Sequence, residues 1–278
     1  MKQLAPVGPP FVADDAVANP GPVLAFLHAT ATIVELEIRK LRHDPTELLT
    51  RAIQPFLWLV LFGQVFTRVR GIPTGHLRYI DFMAPGVLAQ SVLFVSIFYG
   101  ISAIQERDQG VIVKFLVSPA PRTALVLGKA LSAGVRGLAQ CSIIYLLTAC
   151  LHVRLSPNPM LILGVMATVI LGASLFSTFS LLIACLVKTQ QRVMGIGQII
   201  MMPLFFASNA IYPIKIMPPW LQVVSHLNPL TYEVDALRSL MLQGVASLYG
   251  AGVDLLILTT VTAVLIAIAG QLYPKIVT

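Results

Sequence analysis

Charge is what this sequence has least of. Of its 278 residues only 11% are Asp, Glu, Lys or Arg, against about 25% in soluble domains, while 56% are hydrophobic and the mean hydropathy is +0.83. A water-soluble domain is excluded on that ground. Disorder is excluded too, because it needs low hydrophobicity and high charge. The two-residue apolar/polar alternation of a membrane β-barrel is missing; the apolar residues come in long runs, which predicts an all-α integral membrane protein. There are three cysteines, Cys141, Cys150 and Cys185, all inside those runs and none in a CxxC pair. A disulfide framework or metal site is therefore not expected, and they read as small apolar residues. The sequence carries no HExxH or GxSxG, and no carboxylate sits centrally in an apolar run, so no catalytic site is expected. A Walker A loop is lacking as well. Gly128-Lys129 is followed by Ala130 rather than Ser or Thr, and Thr123 stands where that motif has its first glycine. This chain has no such device for holding ATP, and no bound cofactor is predicted.

What is present is a succession of apolar runs behind a polar start. Residues 1–22, rich in Pro and Gly, read as a flexible cytoplasmic tail. Residues 23–51 read as an amphipathic interfacial helix. Val34, Ile38 and Leu41 recur at helical spacing, while Glu35, Glu37, Arg39, Lys40 and Arg42 occupy the other faces. Residues 52–278 form the membrane domain, with six spans predicted at about 52–67, 82–104, 124–151, 160–187, 193–212 and 253–273, each near the length a bilayer requires. With the N-terminus inside, twelve of the 19 Lys and Arg fall on the cytoplasmic side and six outside, with Arg136 within the third span. This bias places both termini in the cytoplasm. The net charge of +7 then fits loops facing anionic lipid, and no nucleic-acid partner is expected. Arg136 reads as a side chain snorkelling to the interface.

The most informative segment joins the second and third spans. Gln105-Glu106-Arg107-Asp108-Gln109-Gly110 leaves the membrane on charges. Val111–Val117 is apolar and helix-capable, Ser118-Pro119 stops it, and Arg122 with Leu127-Gly128-Lys129 leads back. A short apolar helix outside the bilayer needs a surface to cover it: lipid, this chain or a partner's groove. The order E-R-D-x-G, apolar stretch, S-P-x-x-R, L-G-K resembles the corresponding loop of ABC type-2 transporter permeases, the family of daunorubicin-resistance permeases and of bacterial exporters of capsular and lipo-oligosaccharides. A second patch agrees: Asn228-Pro229-Leu230-Thr231-Tyr232, then Val234-Asp235-Ala236-Leu237-Arg238, resembles the segment before that family's last span. The resemblance implies a permease of the bacterial inner membrane that pairs as a homodimer and works with two copies of a separate ATP-binding subunit, which holds ATP and Mg. It implies further that Glu106, Arg107, Gly110, Val113, Phe115, Leu116, Ser118, Pro119 and Arg122 form the loop that couples to that subunit. The cargo it implies is an amphipathic drug, lipid or glycolipid. An ion-gradient-driven carrier and a membrane scaffold that transports nothing are the other readings. The carrier is weakened by the absence of intramembrane acids.

The remaining candidates are polar or adaptable residues. Asn228 is suited to cap a helix with Pro229 in its first turn, and Leu230, Val234, Leu237 and Met241 then share one face. With Tyr232 they predict a short outer re-entrant helix ending near Gly244. Glu233 and Asp235 on it are expected to face solvent. Met201, Met202, Phe205 and Phe206 are candidates for an adaptable apolar pathway. Ser174, Ser177, Thr178 and Ser180 are expected to serve close helix packing.

Overall fold

The computed structural model describes residues 26, 30–32, 34–35, 38–39, 46–69, 77–109, 122–187 and 189–273. Among these, all regular structure is helical, apart from one isolated antiparallel bridge between Leu155 and Leu242. The chain runs through α1 (Thr46–Leu57), a π-helical turn (Trp58–Phe62) and α2 (Gly63–Val69) without a break. Then follow α3 (Tyr79–Asp108), α4 (Arg122–Cys150), α5 (Pro159–Leu186) and α6 (Gln190–Phe206). After a 3-10 turn (Ile214–Ile216) come α7 (Pro219–Leu227), α8 (Pro229–Met241) and α9 (Ala251–Leu272).

Four of these helices are long and apolar enough to cross a membrane: α3, α4 from Thr123, α5 and α9. Each coincides with an expected span to within a few residues. The other two expected spans are shorter. The first is the continuous run from α1 to α2, whose apolar part is Ile53–Phe66. The other is α6, of 17 residues, which carries Pro203 and stops at Phe206, six residues before the expected end. Of the expected N-terminal helix (23–51), Phe26, Thr30–Thr32, Val34, Glu35, Ile38, Arg39 and Thr46–Arg51 are described, and all are helical; the last six belong to α1, which crosses the expected boundary with the first span unbroken. Val34 and Ile38 are half-buried, while Glu35 and Arg39 are exposed and pair at 2.7 Å. Thr30 is buried and donates its hydroxyl to the Ala124 carbonyl at the start of α4.

The helices sort by how far round they are apolar. α3 and α5 are apolar on every face and form the centre, as such helices must. They make the most extensive contact with each other, and α5 also packs on α4, α9, α8 and α6. α9 is peripheral and turns Val253, Leu256, Val264 and Ile268 outward. Hydroxyls in α5 bind it to its neighbours, as expected from their clustering: Ser174 donates to the Ala130 carbonyl of α4 at 3.1 Å, and Ser180 to the Ile97 carbonyl of α3 at 2.6 Å. Such bonds satisfy small polar groups where no water competes.

Candidate functional site

Two polar constellations stand at opposite ends of α3, with the apolar core between them. At the C-terminal end of α3, Glu106 and Lys129 form an ion pair that is almost buried, their side chains 14% and 7% exposed. Glu106 belongs to the charged exit from α3 and Lys129 to the Leu-Gly-Lys return in α4, so the pair closes the neck of the intervening loop. Arg107 and Asp108 make a more exposed pair beside it at 2.8 Å. Gly270 of α9 packs on Thr123, and the buried Tyr273 ring sits close enough to feel the Glu106 charge. The ends of α3, α4 and α9 thus meet at one neck. Of the expected coupling residues, Glu106, Arg107 and the backbone of Arg122 are placed there. Gly110, Val113, Phe115, Leu116, Ser118 and Pro119 lie outside the described residues.

The opposite end is a cap built on α8. Asn228 is its N-cap: the side-chain oxygen accepts from the Leu230 N–H at 3.0 Å, with Pro229 in the first turn. Its amide nitrogen donates to the Leu204 carbonyl in the last turn of α6 at 2.7 Å, one of the carbonyls a helix end leaves without an internal donor. One side chain therefore closes two helix ends. Asn228→Ala is expected to lower stability by about 1–2 kcal/mol, and Asn228→Asp, which keeps the cap but not the donor, by less; thermal unfolding of the purified variants checks the order. Leu230, Val234, Leu237 and Met241 are fully buried along one face, as their spacing predicts. Tyr232 packs on Tyr249 and donates to the His226 carbonyl at 2.7 Å, and the Tyr249 hydroxyl meets His226 Nδ1 at 2.6 Å. Burial, with Tyr232, Asp235 and Asp254 nearby, pushes the Tyr249 phenol up to about 12.

The acids of α8 do not face solvent. Glu233 is fully buried and Asp235 is 2% exposed. Asp235 accepts from the backbone N–H of Leu248 and Tyr249, and the Ser247 hydroxyl lies 2.8 Å from both Asp235 and Asp254, with one proton to share between the two carboxyls. That hydroxyl reaches from the loop to both acids and joins α8 to the first turn of α9. Arg238, expected among the outside loop charges, is buried instead. Its guanidinium lies 3.9 Å from the Phe82 ring centroid and donates to the Asn209 carbonyl at 2.7 Å. Burial lowers its pKa to about 10, Asp235 opposing the shift, so it stays charged at neutral pH. The Glu233 carboxyl makes no hydrogen bond among the described residues and fits a slot at Gly172 of α5, where a Cβ would come within 2.2 Å of it. Burial raises its pKa well above the ordinary carboxylate range, because the charged form is penalised away from water. Below the cap, Arg78 pairs with Asp81 at 2.8 Å and donates to the His152 carbonyl. Leu155 bridges Leu242, with Ser156 N–H to Met241 and Gln243 N–H to Arg154 completing the backbone tie.

Helical periodicity separates the four pathway candidates. Met201 and Phe205 are buried in the core, whereas Met202 and Phe206 point outward, 43% and 42% exposed. Arg136 lies half-buried in α4, 5.1 Å from the Tyr99 ring centroid. Among the described residues no cluster of His, Cys, Asp and Glu can hold a metal ion.

The sequence profile of the ABC-2 type transporters matches residues 28–242. A protein of Cyanophora paradoxa named as a transport permease, ycf38, is 30% identical over 217 residues, covering 77% of this chain and 74% of its own. The daunorubicin resistance ABC transporter permease protein DrrB1 of Streptomyces coeruleorubidus is 25% identical over 88% of this chain and 86% of its own. The inner membrane transport permease YadH of Escherichia coli K12 is 25% identical over 67% of this chain and 73% of its own.

Proposed function

Because the chain belongs to the ABC-2 type transporter family, in which the permease associates with an ATP-binding subunit, we propose that it is the pathway-forming subunit of an ATP-driven exporter. In this reading α1–α2 and α6 complete six spans with the four long helices. Two copies pair around the pathway, two ATPase subunits dock on the loop side, and both termini lie in the cytoplasm of a bacterial inner membrane. ATP and Mg belong to the partner.

The observation that carries the reading is the Glu106–Lys129 pair, which joins the two halves of the loop motif across a gap of 23 residues. A loop held at its base by a buried ion pair transmits a push on its tip as a movement of the helices that hold it, where a slack loop absorbs the push. The apolar residues Val113, Phe115 and Leu116, flanked by charge, have the makeup of an interface core and rim. Here they fill a groove in the ATPase, whose closure drives α3, α4 and, through Thr123 and Gly270, α9. Movement of α9 reaches Asp254 and so the cap. The cargo is an amphipathic drug, lipid or glycolipid. The daunorubicin-resistance relative supports the drug arm of that class.

The test is Phe115→Asp. The variant is expected to insert in the membrane at normal yield and to lose co-purification of the ATP-binding subunit. Retained assembly would overturn the coupling assignment.

A further inference from the structure

A cavity of about 340 Å³ lies between α1 and the middle of α3. Its size is in the range of small-molecule sites, about 300–1,000 Å³. Thr50, Gln54 and Pro55 form one wall, and Gln90, Phe94 and Phe98 the other. Gln90 stands near the midpoint of a 30-residue helix, at the depth of the bilayer core. It is 4% exposed, and its amide makes no hydrogen bond among the described residues. An amide so placed is costly unless something bonds to it. Ser91 beside it is already satisfied by the Val87 carbonyl at 2.7 Å. The facing wall is irregular: Pro55 interrupts the hydrogen bonding of α1 and is followed by the π turn Trp58–Phe62. Such π segments recur at functional sites. No charged side chain is among the described residues that line the cavity.

From these features we infer that the cavity is a binding site for an uncharged amphiphile, a molecule with an apolar body and a neutral amide, ester or hydroxyl group. Phe94, Phe98 and Pro55 take the body. Gln90 and Gln54 bond the polar group, each offering both a donor and an acceptor. An anionic headgroup is disfavoured, because its charge would be buried with no counter-charge. The inference rests on the exporter reading only for what becomes of the ligand afterwards. Under that reading it narrows the cargo to neutral drug-like or lipid-like molecules.

The test is photolabelling of the full chain in lipid nanodiscs, without the ATPase. The probe is a diazirine-bearing alkyl amide, beside the carboxylate of the same chain length, and labelled peptides are mapped by mass spectrometry. The amide is expected to concentrate in residues 50–57 and 87–98. Labelling there is expected to fall at least tenfold for the carboxylate, for Gln90→Leu, and for Phe94→Trp, which fills the space. Even labelling of all lipid-facing helices, or labelling indifferent to Gln90→Leu and to the probe's charge, would show no more than an acyl-chain slot and overturn the proposal. The two readings fail separately. Loss of cavity labelling with intact ATP-dependent export by the whole complex would sink the site and leave the exporter. Labelling as expected without ATP-dependent transport would support the site and sink the exporter.

Discussion

Lys129→Met is expected to give a permease that inserts but is destabilised by about 3–5 kcal/mol, the cost of removing one partner of a buried pair. Glu106, 14% exposed, would lose the Lys129 ammonium that faces it. Glu106→Gln is expected to cost less, because its amide oxygen can still accept a hydrogen bond from the Lys129 ammonium, although that charge loses its carboxylate. The double variant Glu106→Gln/Lys129→Met is expected to recover much of the loss, since no buried charge then remains. Thermal unfolding of the four proteins in one detergent gives the coupling energy as a double-mutant cycle. Strict additivity would show that the two side chains do not act as a pair. The functional readout is separate. The double variant is expected to bind the ATPase but to show transport-linked ATP turnover reduced about tenfold, because its neck is intact in volume and loose in geometry. Lys129→Arg, which keeps the charge, is expected to retain the most activity.

The second large effect is expected at the crossing of α3 and α5. A Cβ added to Gly100 would lie 2.0 Å from Ser180 Oγ, 2.6 Å from its Cβ and 2.8 Å from its carbonyl carbon. Gly100→Ala therefore forces the two central helices apart. It is expected to cost about 1–3 kcal/mol and to break the Ser180–Ile97 hydrogen bond. Removing the Ser180 hydroxyl is not expected to rescue it. Ser180→Ala clears the nearest atom, but the main chain of α5 still stands in the way. Thermal unfolding of Gly100→Ala with and without Ser180→Ala checks this, and a full rescue would mean that the crossing is set by side chains alone.

How far the sequence discloses this molecule depends on the range of each interaction. Span positions were legible because hydropathy is a local sum, so the cores of α3, α4, α5 and α9 are where the apolar runs put them. Their ends are less so, because helix ends are set by contacts. α3 continues to Asp108 since Glu106 finds Lys129, and α6 stops at Phe206 where Asn228 takes up its last turn. The capping role of Asn228 was readable, because Asn-Pro before an apolar repeat is local chemistry. The second bond, to Leu204, was not.

The acids of α8 are the plainest misreading. Asp235 lies opposite the apolar stripe of that helix and Glu233 at its border, three residues after Leu230 and four before Leu237; carboxylates at such positions read as facing solvent. The slot that receives Glu233 is made by the missing side chain of Gly172, and the donors for Asp235 come from Ser247–Tyr249. Neither partner can be seen from within the helix. The Leu-Gly-Lys motif marks Lys129 without revealing it as the counter-ion of Glu106, though an apolar helix that carries a single lysine near its start is a signal that a partner is required. Met201, Met202, Phe205 and Phe206 show the converse lesson: composition grouped them, and a rotation of about 100° per residue sends neighbours to different faces.

The tie between Leu155 and Leu242 is made almost entirely of main-chain atoms. Side chains on the α4–α5 turn and after α8 can therefore be exchanged during evolution without untying the cap. The neck at the other end has no such freedom, because its closure depends on two particular side chains. In descendants of a common ancestor the outward surface is expected to drift quickly and the neck slowly. A lineage could thus acquire new encounters with its surroundings while keeping the same motor connection.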